Sequence, residues 1–140
     1  MAVSIVRAYF KKSGNVQRDK GDHDKGEEMF YNAGYGFEGI TPEGLKEKIA
    51  SGDDFVLLDV RTLAENAAQA IEGSYLIPIH ELPARIGELP RERDIIVYCM
   101  IGNRSAYACM YLARLGYRVK NLDGGIKVWN MRENISCTRA

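Results

Sequence analysis

Of the three cysteines in this 140-residue chain, at 99, 109 and 137, one stands where a thiol can react. Cys99 closes the apolar run IIVYC (95–99), and only Met100, Ile101, Gly102 and Asn103 separate it from Arg104 and Ser105. That spacing predicts a short loop bent from a strand into a helix. Successive backbone N–H groups turn inward there, with Gly102 supplying permissive dihedrals. The start of the helix adds its positive end, and Arg104 adds a full charge. Such a nest favours the thiolate near neutral pH, and the thiolate is the nucleophile. No histidine base is required: His23 and His80 both lie outside the motif. A free cysteine is often only a small buried hydrophobe. The combination with Gly102 and Arg104 favours a reactive one.

The other candidates read more blandly. Cys109 falls mid-helix among apolar neighbours, where a thiol is buried and inert. Cys137 sits in a C-terminal tail and reads as a spare surface thiol, with a resolving role toward Cys99 as the alternative. Asp59 and Arg61 either touch the cysteine loop or brace the sheet edge, and bracing is favoured. Met100 and Ile101 form an apolar rim. Tyr107, Tyr111 and Trp129 read as packing residues. Gly124 and Gly125 allow a tight strand-to-helix turn and make no phosphate-binding fingerprint.

The elements that position these residues follow from pattern. Thr41-Pro42-Glu43 is a helix start, with a hydroxyl at the N-cap and proline at the first helical position. Leu45 and Ile49 share a face of that helix, and Gly52 ends it. FVLLDV (55–60) and IIVYC (95–99) are continuous apolar runs of strand length, as strands covered on both faces should be. Between them come a short alanine-rich helix at 63–70, a strand near 75–79 and a helix-like stretch at 81–88. SAYACMYLARLG (105–116) is a helix apolar nearly all round, hence a buried one, with Gly116 as its stop. YRVKNLDGG holds a last strand, and a final helix begins near Ile126. Alternating strands and helices predict an α/β fold, a parallel sheet with helices on both faces. Ligands in such folds bind beyond the carboxyl ends of the strands. Asp59-Val60-Arg61, Cys99 to Arg104 and Asp123-Gly124-Gly125 all leave strands at that edge.

Composition bounds the function. Nineteen basic side chains balance nineteen acidic ones, and 46% of residues are hydrophobic. Neutral charge argues against a nucleic-acid or anionic-membrane partner, and no apolar run reaches the roughly 18 residues of a membrane span. An odd cysteine count without a CxxC pair argues against a disulfide scaffold or zinc site, so no metal or cofactor is called for. A single domain in a reducing compartment, the cytoplasm, is expected. Residues 11–28 carry almost no apolar side chains and read as part of an extension over 1–39. Met29, Phe30, Tyr31, Tyr35 and Phe37 are its docking points on the domain, or it mediates a dimer contact. The domain spans 40–133 and the tail 134–140. The MAVSIVRAYFKK start has its basic residues after the apolar stretch, the wrong order for a secretory signal.

The segment YCMIGNRS resembles the active loop of the rhodanese-like sulfurtransferases, cysteine followed by x-x-Gly-x-Arg-Ser. LLDVR (57–61) with Glu65, IEGSYLIP (71–78) and LDGGIKVW (122–129) resemble three further family segments in the family's order. The resemblance covers residues 41–133. Gln69-Ala70 and Glu72 depart from the usual Gly-His and proline, which bears on packing and partner contact.

This resemblance implies the three-layer rhodanese-like fold and sulfane sulfur transfer. Cys99 would take the outer sulfur of thiosulfate or another donor as a persulfide and give it to cyanide or a thiol. Arg104 would hold a sulfonate or sulfite leaving group, within a loop formed by Met100, Ile101, Gly102, Asn103 and Ser105. Related phosphatases on this fold carry five residues between cysteine and arginine. Four stand here, which favours sulfur over phosphate. Three functions remain open: an enzyme using a small donor, a persulfide carrier acting on a partner protein, and a non-catalytic binding module. The module is disfavoured by the presence of Cys99. A monomer or homodimer is equally compatible with the sequence.

Overall fold

The computed structural model describes residues 36–138. Five strands form one parallel sheet in the order β1-β5-β4-β2-β3. They are β1 (Glu38–Ile40), β2 (Phe55–Asp59), β3 (Tyr75–Leu76), β4 (Asp94–Tyr98) and β5 (Val119–Leu122). Four α-helices connect and cover them: α1 (Pro42–Ala50), α2 (Leu63–Ala68), α3 (Asn103–Arg114) and α4 (Gly125–Thr138).

Both faces of the sheet are buried, as the continuous apolar runs require. Ile95 and Val97 look toward α3, joining Leu58, Val60, Ala106, Cys109, Met110 and Leu112 in one core. Ile96 and Tyr98 alternate onto the other face, where Leu45 of α1, Leu122 and Ile126 of α4 complete a second core, with Trp129 packed against it. The result is the three-layer α/β arrangement expected from the alternation of elements.

Local chemistry sets the element ends. The Thr41 hydroxyl accepts from the Gly44 N–H at 3.0 Å, capping α1. At the end of α3, Gly116 takes φ +91° and Tyr117 N–H bonds back to the Leu112 carbonyl, closing the helix.

Several expectations need correction. The stretch 81–88 is not one helix but two 3-10 turns, Ile79–Glu81 and Ile86–Glu88. Pro83 and Gly87 interrupt any longer helix. The strand near 75–79 is only Tyr75–Leu76, since Pro78 cannot donate to a ladder. The alanine-rich helix stops at Ala68, with Gln69 extended. Ile49 is 48% exposed, so Leu45 alone of that pair anchors α1. The α3 helix is buried along one broad face, with Tyr107 and Tyr111 half-buried at its margins. Strand β1 falls across the boundary at residue 39, while Phe37 is buried in the α3-side core, as expected of a docking point. The backbone of α4 continues through Thr138, into the residues assigned to the tail. Met29, Phe30, Tyr31, Tyr35 and the Cys137 side chain lie outside the described residues.

The candidate active site

The sheet order places a change of direction between β4 and β2. From β2 the chain moves outward to β3, and from β4 it moves the opposite way to β5. The crevice beyond the carboxyl ends of those two central strands is where such folds bind ligands. Cys99 follows β4 directly and lies at its mouth.

Cys99 is 1% exposed, and its sulfur accepts two hydrogen bonds. The Gly102 N–H donates to Sγ at 3.1 Å and the buried Ser105 hydroxyl donates at 3.3 Å. Gly102 can aim its N–H this way because it adopts φ +108°, the left-handed region. It is the residue before α3, and no side chain caps that helix. The first N–H groups of α3 therefore have no partner within the helix and face the loop end with their partial positive charge.

The loop is held from behind. Asn121 on β5, fully buried, donates from Nδ2 to the Gly102 carbonyl at 3.1 Å. The N–H groups of Ile126 and Lys127, at the start of α4, donate to the Cys99 and Met100 carbonyls at 2.9 and 3.1 Å. Gly125 permits that approach: a Cβ there would lie 2.5 Å from the Met100 oxygen. Met100 and Ile101, 39% and 53% exposed, line the open side.

Arg104 is paired with a carboxylate of the chain itself. Its Nη1 and Nη2 donate to the two carboxylate oxygens of Glu65 at 2.7 and 2.9 Å. That bidentate pair holds the Glu65 carboxyl well down, at about 2. Asp59 and Arg61 form a second, fully buried pair. Arg61 donates from Nε and Nη2 to the two Asp59 oxygens and from Nη2 to the Gln69 carbonyl at 2.6 Å. Asn66 and the Tyr98 hydroxyl also donate to Asp59. This network ties the segment after β2 to the sheet edge and places α2, hence Glu65, against the loop. Cys109 is buried in the α3 core, and burial pushes its thiol well up, away from reactivity. Asn103 is exposed at the helix start.

The sequence reading missed two parts of this site. Asn121 gave no signal, since an asparagine in a strand pattern reads as solvated. Glu65 falls within a motif, but nothing in its spacing marks it as the partner of Arg104.

The profile of the rhodanese-like domain matches residues 41–132. The chain belongs to that family. A sulfurtransferase of Allochromatium vinosum is 44% identical over 91 residues, covering 64% of this chain and 85% of that protein. The thiosulfate sulfurtransferase GlpE of Ectopseudomonas mendocina is 34% identical, covering 66% of this chain and 84% of its own length. Among solved structures, a rhodanese-related protein from Thermoplasma volcanium superimposes with a TM-score of 0.63 at 35% identity. It covers 67% of this chain and 91% of its own. The rhodanese-like fold expected from the four motifs is therefore the fold of this chain. No helix among the described residues is long and apolar enough to cross a membrane.

Proposed function

We propose that this sulfurtransferase of the rhodanese family works through a persulfide on Cys99. The observation that carries the reading is the sulfur itself, buried at the strand end and met by the Gly102 N–H and the Ser105 hydroxyl. Two donors aimed at one sulfur stabilise negative charge there, first on the thiolate and then on the persulfide. Thiosulfate is the simplest donor with a terminal sulfane sulfur, and the relative from Ectopseudomonas mendocina is named for it.

In the first step Cys99 Sγ attacks the outer sulfur of the donor. The Sγ–S bond forms, the donor's S–S bond breaks, and its electron pair leaves with sulfite when the donor is thiosulfate. In the second step cyanide or a thiolate attacks the outer sulfur of the persulfide and the Cys99 thiolate returns. No external oxidant or reductant enters either step. The two free thiols among the described residues fit a reducing compartment such as the cytoplasm.

A second reading, a persulfide carrier docking on a partner protein, draws support from the exposed Met100 and Ile101 beside the sulfur. Both share one test. Incubation with a sulfane donor should leave the protein heavier by one sulfur atom, on the peptide holding Cys99, and cyanide should remove it. Aryl phosphate hydrolysis with no such adduct under any donor would sink the assignment.

A further inference from the structure

The two terminal nitrogens of Arg104 are the pair that would grip a sulfur oxyanion, and Glu65 occupies both. This is not a loose surface pair. The Thr62 hydroxyl and backbone N–H donate to Glu65 Oε1 at 3.1 and 3.3 Å, while the Glu65 N–H donates to Thr62 Oγ, closing a capping box on α2. The Glu65 carbonyl accepts from Nη1 of the buried Arg61. The carboxylate is thus fixed from its own helix as well as by Arg104.

Charge at the loop mouth follows from this. Arg104 and Glu65 cancel, leaving the Cys99 thiolate and the dipole of α3. A thiosulfate dianion entering here must break the Arg104–Glu65 fork or set its sulfonate beside a carboxylate, and like charges side by side are unfavourable. A persulfide borne on a thiol, R–S–SH, brings no sulfonate. The exposed side chains of the loop suit its carbon side: Met100 and Ile101.

We propose that Glu65 is a specificity-determining residue which, by occupying Arg104, directs the site toward thiol persulfides and against small sulfur oxyanions. The proposal rests on the Cys99 persulfide reading and narrows its donor. Cys99 thiolate attacks the outer sulfur of R–S–SH, forming the new Sγ–S bond. The donor's S–S bond breaks, its electron pair leaves as the thiolate R–S⁻, and the proton stays on the transferred sulfur.

The test is Cys99 loading by two donors, thiosulfate and the persulfide of 2-mercaptoethanol, each rate divided by its uncatalysed rate with free cysteine. The parent protein should favour the persulfide by about tenfold in normalised kcat/KM, the scale of an unfavourable charge contact discounted for its partial exposure to solvent. Glu65→Gln is nearly isosteric and glutamine also serves in a capping box, so α2 should keep its start. This variant should lower KM for thiosulfate by about tenfold, with a smaller change in kcat. Glu65→Asp keeps the charge and should stay nearer the parent. A parent that loads equally well from thiosulfate, or a Glu65→Gln variant whose thiosulfate KM is unchanged or raised, would overturn the proposal. Should Glu65→Gln not fold, the parent comparison still decides. Failure of both donors to load Cys99 would instead bring down the persulfide reading itself.

Discussion

Asn121 and Gly102 are joined by one hydrogen bond that decides where the Cys99 sulfur finds its donor. Asn121 Nδ2 donates to the Gly102 carbonyl at 3.1 Å, and the N–H of the same glycine donates to Sγ. The carbonyl also accepts from the Ala106 N–H in the first turn of α3. Two elements, β5 and α3, therefore fix one peptide group.

Asn121→Ala should remove one of those supports inside a buried site. A stability loss of about 1–2 kcal/mol is expected from the lost bond. Persulfide formation should slow further than that loss alone explains, because the Gly102 peptide can then rotate. Asn121→Asp should be worse, setting a carboxylate against a carbonyl oxygen. Thermal melts beside donor-loading rates would check this; equal effects of both variants on rate would argue that only packing is at stake.

Cys99→Ser should abolish sulfur transfer while leaving the fold intact. Cys109→Ala should retain most of the activity and lose stability, since it empties part of a packed core. The cost expected for removing one small buried atom is about 1 kcal/mol. Transfer assays on both variants, with circular dichroism as the folding control, separate the two thiols.

Gly125→Ala should disable the site through the backbone. The residue sits at φ +64° with the Cys99 and Met100 carbonyls 2.6 and 2.5 Å from the position of a new Cβ. Carbonyls cannot step aside without losing the bonds from Ile126 and Lys127. Either the loop shifts or α4 does. A destabilisation of about 2 kcal/mol or more is expected, read from denaturant midpoints.

Much of this was legible from residues alone, and the exceptions share a cause. Strands β2 and β4 are apolar throughout because both faces are covered, and no tertiary knowledge is needed to see them. Cys99, Gly102 and Arg104 announce the loop by spacing within six positions. Strand β1 could not be read, because a three-residue segment with one strongly apolar side chain becomes a strand only by pairing with β5. The Arg104–Glu65 pair was equally hidden. Arginine after a cysteine loop suggests an anion site, and only the placement of α2 shows that a carboxylate of the chain itself fills it.

The same pair sets a pH response. The folded Glu65 carboxyl titrates near 2, against an ordinary value of 4.5. A depressed carboxyl contributes stability that is fully present above its unfolded value and lost as pH falls through the folded one. The contribution of this pair should thus be constant above about pH 5 and fade between 4.5 and 2. Glu65→Gln should flatten that part of the acid-unfolding curve. An identical acid limb in parent and variant would show that the pair is screened by solvent.

The edge pairing of β1 also has a consequence in time. Glu38 lies opposite Lys120 in the register, so this strand finds its only described sheet neighbour 82 positions later in the chain. On a ribosome adding roughly 5–20 residues per second, the wait is on the order of 4–16 s. Throughout it β1 has no described sheet partner, while β2, β3 and β4 can already associate. The central strands and the loop that carries Cys99 are therefore laid down before the sheet closes at this edge. Of the described strands, the first to be made waits longest for its sheet neighbour.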